Sequence, residues 1–447
     1  MREWARVSAD TDAGEPAPAL PRARSDWRAN ALSHPLLLLL PLLALLVLVT
    51  VFFPERQDDE AGYLELARNL VDGHYATGRP DALLDADPSY PDLWFGPGLP
   101  LALAGPVAAG LPLELIRLTG PLFLFLALLV FFGLVRRYTG PKAALGATWA
   151  LGLYLPFYTV LPSLHSEPLA VLCIVLGLYA TARLCEEGGG RWLALGAVAL
   201  AGLALTRVAY GWVLTLALVI FLVRWALLRS DSTRRLATMY ALGLALCAPW
   251  LAYTATETGR AFQWGNSGSL SLYWMSSPYA NDLGDWRQAN AVFTDGSLAP
   301  HRPFFEGLRG LTLPEQNVEL ERRALEHIRD HPGKYVENVA ANVSRMFFDA
   351  PYSSTRQRLS ALYFALPNAF LLGAVLLAAV VALRVRDSLP PPAGPFAIFA
   401  LISFSLHALV ATYPRMLMPL VPVIVWFAAT TITNHLRTVS PKAHGVS

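Results

Sequence analysis

Uncharged apolar blocks about twenty residues long recur along this chain, and they constrain its fold more than any other feature. "LLLLLPLLALLVLVTVFF" at 36–53 and "GPLFLFLALLVFFGLV" at 120–135 are two of them. A helix needs about 20 apolar residues to cross a bilayer. In hydrocarbon every backbone N–H and C=O must be satisfied within the protein, which leaves helices or closed barrels, and blocks this uniformly apolar are helical. Charged residues make up 15% of the 447, whereas a soluble protein carries about a quarter. Water-soluble fold classes drop out, and an all-α polytopic membrane protein is expected.

About ten spans are expected, centred on 33–53, 114–135, 143–160, 165–184, 192–206, 208–228, 236–254, 361–384, 394–413 and 416–435. Arg136, Arg137 and Lys142 fill one short loop, and Arg183 and Arg191 the next but one. Arg224, Arg229, Arg234 and Arg235 fill another, followed by Arg384 and Arg386, then Arg437 and Lys442. These loops alternate with loops poor in basic residues. Because Lys and Arg concentrate on the cytoplasmic side, both termini are expected inside, in the plasma (inner) membrane.

The expected organisation is a disordered cytoplasmic tail over 1–32 and a transmembrane core over 33–254, which includes a first outer loop at 54–113. An outer region over 255–360, C-terminal transmembrane helices over 361–435 and a tail over 436–447 complete it. Arg22, Arg24 and Arg28 precede the first block without an obvious small-residue cleavage site, which reads as an uncleaved anchor. The stretch "GPGLPLALAGPVAAGLPLE" at 96–114 is apolar but broken by four prolines, and a span there would reverse the charge alternation. It is expected to be a helix lying in or dipping into the interface. Two helices fit the end of the outer region, the second beginning near Pro332. Its Val336, Val339, Val343, Met346 and Phe347 recur at helical spacing, which suits a helix resting on the membrane surface.

Cys173, Cys185 and Cys247 lie in or at the ends of apolar blocks, so neither a disulfide framework nor a zinc site is indicated. The formal charge of +2 says nothing about partners. There is no internal repeat and no Gly-rich phosphate loop; no nucleotide cofactor and no nucleic-acid partner are expected.

Chemistry concentrates in "PERQDDEAGYLELARNLVDGHY" at 54–75, directly after the first block. Tyr63, Leu64, Ala67, Leu70 and Val71 fall on one helical face, with Glu65, Arg68, Asn69 and Asp72 on the other. Asp58, Asp59 and Glu60 then sit at the helix N-terminus. One carboxylate there would serve as a cap and complement the helix dipole. Three at the mouth of a bilayer exceed that need.

The sequence resembles the GT-C superfamily of lipid-dependent glycosyltransferases, in particular the bacterial relatives of protein O-mannosyltransferases (glycosyltransferase family 39-like) and the aminoarabinose transferase. The resemblance rests on Asp59 and Glu60, then Tyr63 and "ARNL" at 67–70, just after the first span. It continues through "GPGLP" at 96–100, "SEP" with Glu167, and "GLALTR" ending at Arg207. Pro249 and Trp250, "HPGKY" at 331–335, and "TYPRMLMPLVP" with Tyr413 and Arg415 complete the series. One departure stands out: the last motif usually reads Arg-Tyr, and here the order is Tyr-Pro-Arg. The resemblance implies a GT-C-type fold, a polyprenyl-phosphate sugar donor, and a glycan, lipid or protein acceptor on the outer face.

That chemistry accounts for the residues. An acceptor hydroxyl must lose its proton as it attacks the anomeric carbon, which a carboxylate can accept. Negative charge favours an oxocarbenium-like transition state, and the departing lipid phosphate needs Arg, Lys or a divalent metal. Asp59 is the expected general base, with Asp58 one residue away as the alternative and Glu60 orienting the helix end or assisting. Glu167, with His165 two residues before it, is the second acidic centre. Its competing reading is a solvated turn before Pro168. Asp59 and Glu167 could share a Mg²⁺ or Mn²⁺ with donor phosphate, since hard oxygen ligands suit such ions. His165 reads as a polar loop residue rather than a ligand. Arg207 lies on the side otherwise poor in basic residues and is either a phosphate clamp or a snorkelling span end. Arg415 is the expected second phosphate contact. Trp264, Tyr273, Trp274, Tyr279 and Trp286 suit either sugar stacking or an interfacial belt.

Two other classes compete. A secondary transporter would carry acids mid-span in two matching halves. A polysaccharide polymerase or ligase would leave the early Asp-Glu helix without a role. Convergence of Asp59, Glu167 and Arg207 at one site discriminates among them.

Overall fold

A computed structural model describes residues 37–53, 59–75, 84, 93–353, 361–384 and 389–439. Asp58, the residues 1–32 and the last eight residues lie outside them. The compact unit begins at Leu39. Every regular element among the described residues is helical.

The first apolar block forms α1 (Leu40–Phe52), and the acidic stretch that follows forms α2 (Glu60–Val71). The proline-broken stretch forms α3 (Gly98–Ala108), whose 11 residues reach about 16 Å, too short to cross a bilayer. Then come α4 (Leu113–Arg117), α5 (Thr119–Thr139), α6 (Pro141–Gly152), α7 (Glu167–Glu186), α8 (Gly190–Thr206) and α9 (Ala209–Leu228). Next are α10 (Asp231–Leu246) and α11 (Ala248–Thr258). Among the described residues, five helical stretches are long and apolar enough to span: Leu113–Thr139, α7, α9, Leu362–Arg384 and Pro414–Arg437. The α10–α11 pair, bent by 48°, makes a sixth if counted as one span. Leu227, Phe370 and Leu383 are 77%, 79% and 80% exposed, as side chains facing lipid are.

Two expected spans differ in form. The block at 143–160 is a helix of only 12 residues. It stops at Gly152, where a Cβ would press on Leu42, and the chain then turns through Leu155–Thr159 with Pro156 at its start. Tyr158 Oη closes that turn on the Gly152 carbonyl at 2.7 Å. The block at 236–254 bends at Cys247, because Pro249 lacks the N–H that a continuous helix would use.

Contacts at the helix ends sort the charges. At the end of α5, Arg137 pairs with Glu186 at the end of α7. Arg437 donates to the Tyr138 carbonyl at 3.4 Å, and the Arg235 guanidinium lies against Gly188. The basic stretches that carry Arg137, Arg235 and Arg437 therefore share one end of the bundle, as their alternation along the chain suggests. Glu167 and Arg207 lie at the other end, separated by the length of α7, whose 20 residues make about 30 Å.

The segment 255–360 contains α12 (Ser267–Met275), α13 (Ala291–Thr294), α14 (Arg302–Glu306), α15 (Leu313–Asp330) and α16 (Pro332–Phe348). It has its own apolar core, with Leu270, Tyr273, Trp274, Phe305 and Leu320 at its centre. A capping box between Thr312 and Glu315 starts α15. Helix α16 begins at Pro332 as expected; Val336 on its apolar stripe is 66% exposed, while Met346 of the same stripe is buried together with Asn338, Asn342 and Arg345. After α17 (Leu362–Arg384) comes α18 (Ala393–Ala408), and α19 (Val421–Val439) closes the chain. The C-terminus of α18 explains the buried asparagine. Its last carbonyls lack helical partners, and Asn342 Nδ2 donates to those of His407 and Ala408, each at 3.1 Å, and to that of Val410, just beyond the helix, at 2.8 Å. This fixes the 255–360 segment to the turn that carries Tyr413 and Arg415.

Candidate active site

Helix α2 buries Tyr63, Leu64 and Ala67 against Leu99, Leu103, Ile116 and Leu164. That packing presents the helix N-terminus to the start of α7. Asp59 occupies the N-cap position, yet its side chain makes no capping hydrogen bond. Its Oδ2 instead accepts from Arg415 Nη1 at 2.9 Å, across 356 positions of sequence. The capping reading of Asp59 is thus set aside. Glu60 orients the helix end. It takes Arg117 in a two-pronged pair, with Nη2 at 2.6 Å and Nε at 2.9 Å, and accepts from the Leu164 N–H at 2.9 Å. Planar guanidinium and carboxylate match well in such a pair.

Glu167 is 1% exposed, so it is not a solvated turn residue. Its Oε1 lies 2.8 Å from Arg207 Nη1 and 3.6 Å from Arg415 Nε. Its Oε2 is buried with no hydrogen-bond partner among the described residues. Arg207 Nη1 also donates to Ser166 Oγ at 3.2 Å, and Nη2 contacts Met416 Sδ. Arg207 faces inward, away from lipid, which removes the snorkelling reading. Its position follows from close packing. A Cβ on Gly96 would fall 2.1 Å from the Leu205 carbonyl, and one on Gly98 would fall 2.4 Å from Thr206 Oγ1. Only glycines let the 96–98 backbone press on the end of α8, and that contact sets where Arg207 begins.

Asp59, Glu167, Arg207 and Arg415 therefore form one network of two acids and two arginines. Exposure grades across it. The Glu167 and Arg207 side chains are 1% and 10% exposed, while those of Asp59 and Arg415 are 23% and 27%. A ligand meets the Asp59–Arg415 edge first. Tyr63, 3% exposed, sits beneath it. Burial, and after it the Asp59 and Glu167 carboxylates, hold its phenol above the usual range, so it stays protonated and can donate a hydrogen bond.

The remaining expected residues divide. His165 Nδ1 lies 3.3 Å from Ser163 Oγ and from the Ser163 carbonyl, within its own turn, as a polar loop residue. Asp58 lies outside the described residues. The shared divalent-cation site does not fit the arrangement, because Arg415 reaches both carboxylates. Among the described residues, no three of His, Cys, Asp and Glu come together as metal ligands would. Of the aromatics, Trp264, Tyr273 and Trp274 are core residues, 2%, 2% and 0% exposed, so neither belt nor stacking describes them. Tyr279 donates to the Pro300 carbonyl at 2.9 Å. Trp286 touches the site's surroundings through Tyr413. Sequence reasoning missed Arg117. A single basic residue in a Pro-rich apolar stretch carries no signal until the fold sets it against Glu60.

Residues 109–253 match the family model described as dolichyl-phosphate-mannose-protein mannosyltransferase. No curated protein matches the chain in sequence. In fold it is similar to the oligosaccharyltransferase of Archaeoglobus fulgidus, solved with a tethered acceptor peptide containing the NVT sequon. That similarity has a TM-score of 0.50 and 14% identity, over 88% of this chain and 49% of that one. The chain thus spans about half the length of that enzyme. ArnT from Cupriavidus metallidurans bound to undecaprenyl phosphate matches at a TM-score of 0.40 and 14% identity, over 89% of this chain and 77% of that one. The same protein in its apo state gives 0.39 and 16%, over 90% and 75%. The chain has the GT-C glycosyltransferase fold and is a membrane protein.

Proposed function

We propose that this protein transfers a glycosyl group from a polyprenyl-phosphate donor to an acceptor hydroxyl on the outer face of the plasma (inner) membrane, with both termini cytoplasmic. The observation that carries the reading is the convergence of Asp59, Glu167, Arg207 and Arg415, drawn from four separate segments, at the bundle end opposite the basic loops. Acids at helix starts, not mid-span, also argue against a transporter.

The arrangement suits the reaction. The donor's tail lies in hydrocarbon and its phosphate at the helix ends, within reach of Arg415 and Arg207. The acceptor oxygen forms a bond to the anomeric carbon as the bond from that carbon to the phosphate oxygen breaks. The phosphate leaves with the electron pair, and the guanidinium groups stabilise its growing charge. Asp59 takes the acceptor's proton. At rest Asp59 is paired with Arg415. Phosphate drawing on Arg415 would release the carboxylate as the donor arrives. Glu167, buried beneath, anchors Arg207 and places negative charge near the oxocarbenium-like carbon. Glu60 and Arg117 hold the Asp59 end of α2.

Purified protein in proteoliposomes, supplied with undecaprenyl phosphates bearing different hexoses and pentoses, tests the reading. Turnover of at least one donor supports it, and turnover of none contradicts it. Mass spectrometry of envelope glycans with and without the protein identifies the acceptor.

A further inference from the structure

Three aromatic residues from distant segments meet beside the ion network. Trp94 and Trp286 have ring centroids 5.9 Å apart at 61°, and Trp286 and Tyr413 are 5.6 Å apart at 60°. The Arg415 guanidinium carbon lies 5.8 Å from the centre of the Tyr413 ring. All three aromatics are half-buried, unlike Tyr273 and Trp274, which are core residues. Each of the three residues keeps part of its surface uncovered.

The loop that carries Trp286 is held in place. Trp274 Nε1 donates to the Arg287 carbonyl at 2.7 Å, the Leu283 N–H to Ser353 Oγ at 2.9 Å, and the Ser353 N–H to Asp285 Oδ1 at 3.0 Å. Gly284 has φ +70°, where a side chain would be strained, and a Cβ there would meet Asn338 and Met275 at 3.1–3.2 Å. Asn338 Nδ2 in turn donates to the Met275 and Ser277 carbonyls at 3.0 and 2.9 Å. So many restraints on one loop fix where its tryptophan stands. Beside it, Arg287 pairs with Asp285 at 2.7 Å.

A membrane belt does not describe Trp286, because its ring contacts are Trp94 and Tyr413 rather than a ring of interfacial residues. Its neighbours point to another ligand. A pyranose or furanose turns a face of C–H bonds, slightly positive, toward the negative face of an aromatic ring. Resting on the phosphate reading above, the geometry fixes where that sugar lies. The donor's sugar is joined directly to the phosphate, so a phosphate at Arg415 places the sugar within one residue's reach of Tyr413.

We infer that Trp94, Trp286 and Tyr413 form the platform on which the donor's sugar ring stacks, and that Trp286 sets the preference for a glycosylated over a bare lipid phosphate. The inference concerns the sugar, whereas the phosphate belongs to the arginines.

Binding of two probes to the full-length protein in nanodiscs separates the two: undecaprenyl phosphate alone, and undecaprenyl phosphate carrying mannose, glucose or arabinose. Wild type is expected to bind at least one glycosylated lipid about tenfold more tightly than the bare one. Trp286→Ala should erase that difference and leave bare-lipid affinity within twofold, roughly, of wild type, while Trp286→Phe keeps most of it. The platform is overturned if Trp286→Ala retains the sugar-dependent difference, if it weakens both probes equally, or if wild type shows no difference for any sugar. A wild type that binds neither probe overturns the phosphate reading and the platform with it.

Discussion

Arg415 holds Asp59 at 2.9 Å while its Nε stands 3.6 Å from Glu167, so one guanidinium bridges both acids of the site. Neither acid is left bare, and the network of two carboxylates and two arginines is neutral before a ligand arrives. An anionic lipid phosphate can then enter by sharing the arginines rather than by overcoming two unscreened acids. The bridge also occupies the place a divalent cation would take. EDTA is therefore expected to leave turnover in proteoliposomes unchanged. Loss of activity with chelator and its return with Mg²⁺ or Mn²⁺ would show that Arg415 moves aside for a metal.

Arg207 has two roles that can be pulled apart. Removing it by Arg207→Gln leaves Glu167 buried with only the more distant Arg415, a loss of about 3 kcal/mol by the behaviour of broken buried pairs. Arg207→Gln combined with Glu167→Gln should recover most of that stability in thermal unfolding, yet still bind undecaprenyl phosphate weakly. Arg207→Lys should restore binding in part, keeping the charge but losing the fork. Donor affinity in the double variant equal to wild type would leave Arg207 a purely structural residue.

Glu60 and Arg117 act as a unit. Each single substitution, Glu60→Gln or Arg117→Met, strands a partner that is nearly buried, with side-chain exposures of 13% and 9%. A double-mutant cycle on unfolding should return a coupling of about 0.5–3 kcal/mol. If the pair positions Asp59, both singles should lower kcat more than they raise the donor KM. A cycle that closes to zero would remove this role.

The topology is open to direct labelling. Ser297 is exposed in the 255–360 segment. As Ser297→Cys it should react with a membrane-impermeant thiol reagent in intact cells, whereas cysteines placed between Arg229 and Arg235 should not. The reverse pattern would turn the site to the cytoplasmic face.

The apolar blocks made the all-helical character legible, and Asp59, Glu167, Arg207 and Arg415 are singled out by their place at span ends together with the GT-C resemblance. The sequence did not reveal their pairing, since Asp59 and Arg415 lie 356 positions apart. Hydropathy located the blocks but not their breaks. Gly and Pro are tolerated inside apolar blocks, so the stop at Gly152 and the bend at Cys247 left no mark in the periodicity. The buried polar side of α16 was not legible for a different reason. Its valines carry the apolar rhythm, but the open carbonyls at the end of α18 draw Asn342 inward. Arg117 was hidden because its meaning depends on Glu60, 57 residues earlier.

The central claim is that Asp59 is the base of a glycosyl transfer from polyprenyl phosphate, and one comparison tests it most directly. Wild type and Asp59→Asn are reconstituted with an undecaprenyl-phosphate sugar that wild type turns over, and transfer is followed alongside lipid-phosphate binding. Asn keeps the size and the ability to accept a hydrogen bond from Arg415 but cannot take the acceptor's proton. The variant should remain folded and bind the lipid phosphate, with turnover reduced about 10²–10⁴-fold. Turnover at the wild-type rate would contradict the account and pass the role to Asp58.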